Sequence, residues 1–363
     1  MLTAESVKQH ARTLGFDLCG VAPADGVPDA GRIREWLARG YAGDMGYLPR
    51  TARLREDVRR ILPSARSVIV TGTVYNTKRP YSVEVTNPTE ALVSRYAWGE
   101  DYHDVIGRRL DSLLDWVREQ HRAPFEARAF VDTGPIHERA HAERAGLGWI
   151  GKHGCLTNPD LGSWLFLSAI VCSLPLVPDE PALDRCGACT LCLDACPTGA
   201  IVEPHVLDAT RCLSYLTIEL RRGIPEPIRA DVGRHVFGCD ICQDVCPWNQ
   251  SAARSEDPAW QPRPALDRPR LLDLWNRSDD GLAELARGSA MSRAGVTSLR
   301  RNLAVALGNS ADPDAAQALD LSTRFGPRRS GSRAEAPSLD DRMVQEHVRW
   351  ARVRHQSRPG RVE

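Results

Sequence analysis

Eight cysteines carry the strongest chemical signal in this sequence: Cys186, Cys189, Cys192 and Cys196, then Cys212, then Cys239, Cys242 and Cys246. Two-residue spacers let successive thiolates wrap one face of an iron-sulfur cubane. The three-residue spacer ahead of Cys196-Pro197 and Cys246-Pro247 instead sends the last thiolate of each run to the other cluster. The spacing therefore predicts two 4Fe-4S clusters with crossed ligands. Cys186, Cys189, Cys192 and Cys246 fall to the first, and Cys196, Cys212, Cys239 and Cys242 to the second, Cys212 standing in for the fourth thiolate of a symmetric ferredoxin repeat. Zinc held by the same Cys-x2-Cys pairs is the competing reading, although zinc needs neither the third member of the run nor the Cys-Pro exits. A second alternative makes the clusters structural staples; crossed ligands hold two clusters close together, which suits an electron relay. Cys19, Cys155 and Cys172 lie in or beside predicted strands and read as small buried apolar side chains.

The relay needs an acceptor, and the sequence holds no Cys-x2-Cys-His haem motif, Walker loop or Gly-x-Gly-x2-Gly fingerprint to bind one. Composition limits the partners: Lys plus Arg equals Asp plus Glu at 47 each, so a polyanion site must be a local patch. With 42% apolar and 26% charged residues the chain is an ordinary globular protein. The opening MLTAESVKQHARTLGF lacks the regions of a secretory signal and any twin arginine, and no stretch approaches about 18 uncharged apolar residues. These features place the chain in the cytoplasm with no membrane partner, where cysteines serve metals rather than disulfides.

The elements that must position these residues follow from periodicity. The chain length of 363 residues allows two or three domains. Helices are predicted near 3–14 and 29–39, a strand near Phe16–Val21, and a buried β-branched strand over Ser67–Val74. Val105, Ile106, Leu110, Leu113, Leu114 and Val117 recur at helical spacing between Tyr102 and His121. Strands are expected at Glu126–Val131 and Trp164–Val171, separated by a helix from Pro135 to Ala145 with Pro135 in its first position. The fold class is α+β, in three consecutive domains: 1–180 mixed α/β, 181–255 a small ferredoxin-like domain organised by the clusters, and 256–363 helical. Helical patterns recur at Leu271–Leu285, Ser298–Leu307 and Val344–Arg354, as degenerate repeats around a loose loop at 326–338.

Several stretches resemble epoxyqueuosine reductases: VDTGPIHERAHAERAGLGWIGK from Val131 to Lys152, Gly162-Ser163-Trp164, SRYAWGEDYH from Ser94 to His103, RCLSYLTIELRRGIP from Arg211 to Pro225, and the Cys-Pro runs ending CPWN. The resemblance spans roughly residues 1–310. It implies a nitroreductase-like cobalamin-binding domain at 1–180, a HEAT-like tail, electrons passing from the clusters to cobalamin, and reduction of epoxyqueuosine to queuosine in a tRNA anticodon loop. It implies that Asp132 lies at the cobalamin and donates a proton, a task that burial would aid by raising its pKa. Read from its own neighbours, Asp132 before Thr133-Gly134-Pro135 would cap a helix start. The resemblance further places Arg55 and Arg95 against the corrinoid, and Ser214, Cys239 and Asp240 where the second cluster meets it. Arg221 and Arg222 become phosphate contacts to tRNA, against the plainer reading of a solvated helix face. The expected partners are tRNA carrying epoxyqueuosine and an external electron donor, with the enzyme a monomer. Two alternatives remain: a corrinoid-dependent reductive dehalogenase, which would carry an export signal, and a non-catalytic ferredoxin-type electron carrier.

Overall fold

The computed structural model describes residues 2–27, 30–320 and 341–357. It combines helices with sheet. The chain divides into two compact units: Met1–Arg79 with Glu100–Thr210 and Ile241–Trp260, and Pro80–Gly99 with Arg211–Asp240 and Gln261–Glu363. These units cut across the three consecutive segments expected from sequence. The cysteine segment has too few apolar residues for a core of its own, and its stretches join the cores of both units.

In the first unit, α1 (Ala4–Thr13) opens on a capping box between Thr3 and Ser6 and buries Val7 and Ala11. β1 (Leu18–Pro23) begins two residues later than periodicity suggests. Gly15 turns the chain at a φ of 86°, and Phe16 packs inward ahead of the strand. β2 (Ser67–Val74) has all eight residues buried, as its β-branched run predicts. α2 (Tyr102–Gln120) buries all six of the apolar residues singled out from its spacing. β3 (Ala127–Val131) and β4 (Leu165–Cys172) complete a sheet of order β1-β2-β4-β3. Every pairing is antiparallel, with Gly20 opposite Val70, Ile69 opposite Ile170, and Ile170 opposite Ala129. Between β3 and β4 lies α3 (Glu138–Arg144), whose Ala142 joins Ala22, Val68, Val70, Ala169 and Val171 in one apolar cluster.

The helix expected from Pro135 begins at Glu138 instead, with His137 as its N-cap. Residues 132–136 form a turn because Asp132 takes a left-handed φ of 55° and its N–H is bonded, at 2.8 Å, by the Glu138 carboxylate. Asp132 therefore precedes the helix, whose N-cap is His137, and its side chain is more than half exposed. The helix expected near 29–39 is seen over Ala30–Ala38, its first expected residue lying outside the described residues.

In the second unit, Tyr215–Glu219 forms a π-helical turn, and His235–Phe237 pairs in parallel with Leu92–Val93. The pattern expected as one helix from Leu271 divides into Leu271–Trp275 and Asp279–Ala286, because Ser278 caps the second piece by accepting the Gly281 N–H at 3.0 Å. α4 (Val296–Asn309) is buried from Ser298 to Gly308, and α5 (Arg342–Gln356) lies along it. The loose loop expected at 326–338 lies outside the described residues. Among the described residues no helix is long and apolar enough to cross a membrane.

Candidate functional site

Cys186, Cys189, Cys192 and Cys246, the four thiols grouped by their spacing, line one cavity in the first unit together with Lys152, His153, Pro247 and Trp248. The cavity encloses about 340 Å³ of space continuous with solvent. Cys246, far along the chain from the other three, reaches it because a polar knot fixes its loop. Asn249 accepts the Ser163 N–H at 2.7 Å and donates to the Gln243 carbonyl at 2.7 Å, while Gln243 donates to the Ser163 carbonyl at 2.8 Å. Gly162 is required here: at a φ of 75°, any Cβ would come within 2.4 Å of Asn249 Oδ1. The Trp149 indole N–H donates to Cys186 Sγ at 3.4 Å, and Lys152 Nζ donates to the carbonyls of Gly187 and Cys189 at 2.6 and 2.9 Å. Burial, followed by the neighbouring thiols of Cys246 and Cys186, pushes Cys192 up to about 11. Burial first, and neighbouring thiols after it, also raise Cys246, and a cationic metal group would remove the penalty on the ionised forms of these two thiols.

The other four cysteines are divided. Cys196 and Cys242 belong to the first unit, Cys212 and Cys239 to the second. Cys196 Sγ accepts the Ala200 N–H at 3.2 Å. In the second unit, Thr217 ties together the stretches that carry Cys212 and Cys239. Its hydroxyl donates to the Leu213 carbonyl at 2.7 Å and accepts the Gly238 N–H at 2.9 Å. Asn302 on α4 repeats the tie by donating to the carbonyls of Thr217 and Val236, both at 2.8 Å. Arg301 beside it donates to the carbonyls of Leu216 and Leu220, each at 2.7 Å. Every cysteine lies within the described residues, and none forms a disulfide.

Asp132 stands apart from the thiol cavity, with its side chain 55% exposed. Burial, the means expected from sequence to raise its pKa, is therefore not in place. Its Oδ2 accepts the Tyr102 hydroxyl at 2.8 Å and lies 3.4 Å from His103 Nε2, within ion-pair reach but out of hydrogen-bond alignment. His103 Nδ1 is 2.7 Å from Asp101 Oδ1. Burial pulls His103 down, yet the hydrogen bond to Asp101 and the close carboxylates of Asp101 and Asp132 outweigh it and push His103 up to about 9. Behind Asp132, burial and then the Asp132 charge push Glu138 up to about 8. Arg55, lowered by burial, donates to the Ile136 carbonyl at 2.7 Å and faces Glu138 and Asp132.

Comparison with known proteins places this arrangement. A family model described as a 4Fe-4S double cluster binding domain matches residues 185–249, and one described as epoxyqueuosine reductase QueG matches residues 55–133. An epoxyqueuosine reductase of Escherichia coli is 39% identical over 96% of this chain and 88% of its own length. That of Gloeobacter violaceus is 44% identical over 85% of this chain and 97% of its own. The chain belongs to the epoxyqueuosine reductase family. Among solved structures, an epoxyqueuosine reductase with an epoxyqueuosine-modified tRNA-Tyr stem loop is 31% identical, with a TM-score of 0.82 over 96% of this chain and 89% of that one. The Bacillus subtilis enzyme, with its catalytic aspartate loop swung out of the active site, is 30% identical, with a TM-score of 0.80 over 96% of this chain and 98% of that one.

The remaining residues implied by the family resemblance are less open. The Arg95 guanidinium packs over the rings of Tyr81 and Trp98, at 5.1 and 4.6 Å, and donates to the Pro80 carbonyl at 2.9 Å. Asp240 is buried, and its carboxylate accepts the Arg95 N–H at 2.7 Å and the Ser94 hydroxyl. Ser214 is half-buried at the start of the π-helical turn, a distortion often found at functional sites. Arg221 donates to the carbonyls of Ala294 and Arg293, and both Arg221 and Arg222 are exposed. Sequence reasoning missed Trp149, Lys152, Tyr102, His103 and Glu138. Tyr102 and His103 stand in the family-like stretch ending at His103, and Trp149 and Lys152 close the one ending at Lys152. Their partners become visible only once the strands are registered.

Proposed function

We propose that this chain is an oxidoreductase that reduces epoxyqueuosine to queuosine in the anticodon loop of tRNA. The likeness over nearly the whole chain to an epoxyqueuosine reductase structure holding a modified tRNA stem loop carries the reading. Deoxygenating an epoxide consumes two electrons and two protons and releases water. Bound 4Fe-4S clusters supply electrons singly, and bound cobalamin supplies the cobalt that passes them to the epoxide. The cavity lined by Cys186, Cys189, Cys192 and Cys246 fits the first cluster, and Cys196, Cys212, Cys239 and Cys242 are assigned to the second. Asp132, exposed and already accepting a hydroxyl, presents the first proton to the oxygen of the opening epoxide.

Arg55 and the backbone at Ser214 and Cys239-Asp240 suit contacts to cobalamin. The Arg95 guanidinium donates to the Pro80 carbonyl and the Asp240 carboxylate accepts the Arg95 N–H and the Ser94 hydroxyl, which holds the Ser94–Trp98 turn against the Cys239 loop. Arg221 and Arg222, both exposed, suit phosphate contacts to the tRNA. The functional division remains a nitroreductase-like cobalamin domain at 1–180, a ferredoxin-like domain at 181–255 and a HEAT-like tail at 256–363. The enzyme acts as a cytoplasmic monomer fed by an external donor.

The test uses anaerobically reconstituted protein with tRNA carrying epoxyqueuosine, a low-potential reductant and cobalamin. Nucleoside mass spectrometry should show loss of one oxygen, and the protein should show a corrinoid absorption band. Failure to bind corrinoid and to form queuosine with both clusters loaded overturns the proposal and returns the chain to an electron-carrier role.

A further inference from the structure

The reaction takes two protons, and the exposed Asp132 carboxyl holds one. A substrate seated over that carboxyl blocks its direct route to bulk water, so the second proton must come from the protein side. Three observations in the first unit locate a source. His103 sits at the start of α2 with Nδ1 2.7 Å from Asp101 Oδ1 and Nε2 3.4 Å from Asp132 Oδ2. That Nε2 is buried and has no hydrogen-bond partner, which for a polar nitrogen is costly unless the contact serves another state. The imidazole is held in place by stacking on the Tyr102 ring at 4.1 Å, which itself stacks on Phe166 at 4.5 Å.

The geometry points to His103 as a relay that reloads Asp132, passing its Nε2 proton to Asp132 Oδ2 for the second protonation of each turnover. This rests on the epoxide-reduction reading. Asp132 first gives its proton to the epoxide oxygen as one C–O bond opens. His103 Nε2–H then moves to Asp132 Oδ2 and on to the hydroxyl, which leaves as water when the second C–O bond breaks. The two electrons arrive from the clusters through the cobalamin, so the balance closes. Asp132 ends ionised and His103 neutral, its Nδ1–H held by Asp101, and both regain a proton from solvent after product leaves.

The groups facing His103 are Asp101 on its own element and Asp132 from the turn after β3, with Glu138 and Arg55 next to Asp132. Once Asp132 has given its proton it is ionised, and together with Asp101 it pushes His103 up to about 9, so His103 is charged at neutral pH when it must hand its proton on. A structural histidine would need no second carboxylate.

The experiment compares the holoenzyme with its His103→Gln and Asp101→Asn variants, following queuosine formation against pH at saturating tRNA. Under the relay, His103→Gln lowers kcat by about 10-fold or more and moves the alkaline fall of kcat to lower pH, with KM for tRNA, cluster absorbance and corrinoid binding unchanged. Asp101→Asn keeps the imidazole but removes the charge on Nδ1, so it also moves the alkaline limb down. If queuosine forms in the unchanged enzyme and either folded variant keeps its kcat and pH profile, the relay is wrong and the function stands. If the unchanged enzyme forms no queuosine, the function itself fails. Should His103→Gln not fold, Asp101→Asn decides.

Discussion

Replacing Asp132 with Asn removes one proton and little else. The residue occupies left-handed backbone at a φ of 55°, where Asn is among the few side chains that sit easily and Ala pays about 1–2 kcal/mol. The Asn carbonyl oxygen can still accept the Tyr102 hydroxyl now bonded at 2.8 Å. The side chain is more than half exposed, so stability should change by no more than about 0.5 kcal/mol. The loss falls on chemistry: without its acid, turnover should drop about 100-fold or more, or about 2.7 kcal/mol at about 1.36 kcal/mol per tenfold. The variant also strips His103 of one of the two carboxylates that hold it near 9, so the His103 pKa, read by NMR, should fall. Single-turnover reduction of tRNA, with nucleosides analysed by mass spectrometry and iron and corrinoid measured in parallel, gives the result. Unchanged turnover refutes the proton-donor role; turnover lost together with iron or corrinoid shows that Asp132 held the site rather than served it.

Three other outcomes follow from named contacts. Cys246→Ala should empty the first cluster, seen as a lost EPR signal and iron content, while the second survives; loss of the second alone would refute the crossed assignment. Asn302→Leu, of similar volume, leaves the carbonyls of Thr217 and Val236 without their 2.8 Å donors, at about 1–3 kcal/mol each. It should lower the denaturation midpoint and deplete the second cluster ahead of the first, and full iron at unchanged stability would show that the tie holds nothing. His141, His235 and His347 are buried and held down to about 4 by that burial. Depressed histidines give stability above the unfolded value near 6.5 that is lost as pH falls toward 4, so denaturant midpoints should decline over that window, and flat midpoints would refute the assignment of these rings as neutral.

The grouping of Cys246 with Cys186, Cys189 and Cys192 was legible because the spacing of thiols along the chain follows the geometry of a cubane, and these four line one cavity. Ser67–Val74 and the six apolar positions of α2 were legible for a similar reason, since burial imposes periods that composition records. The turn at Asp132 was not. Pro135 fits a first helical position, but the sequence does not state that Glu138 reaches back to the Asp132 N–H and delays the helix. Nor does charge alone reveal that the Arg221 guanidinium closes on the carbonyls of Ala294 and Arg293. The sheet's antiparallel order was equally silent, because alternation fixes faces and leaves register to packing.

Around Asp132, three carboxyl groups within one small region are kept in different states by their surroundings. Asp101 is held below the usual carboxylate range, mainly by its hydrogen bond to His103. Glu138, buried, is pushed up to about 8 and is neutral near pH 7. Asp132 alone faces outward. A neutral Glu138 orients the turn through the Asp132 N–H without placing a second charge beside Asp132. A charged His103 supplies the opposite charge for the carboxylate left once Asp132 has given its proton. The arrangement thus favours giving the proton away at the exposed group and storing the next one at the covered group, which is the order that a substrate approaching from solvent demands.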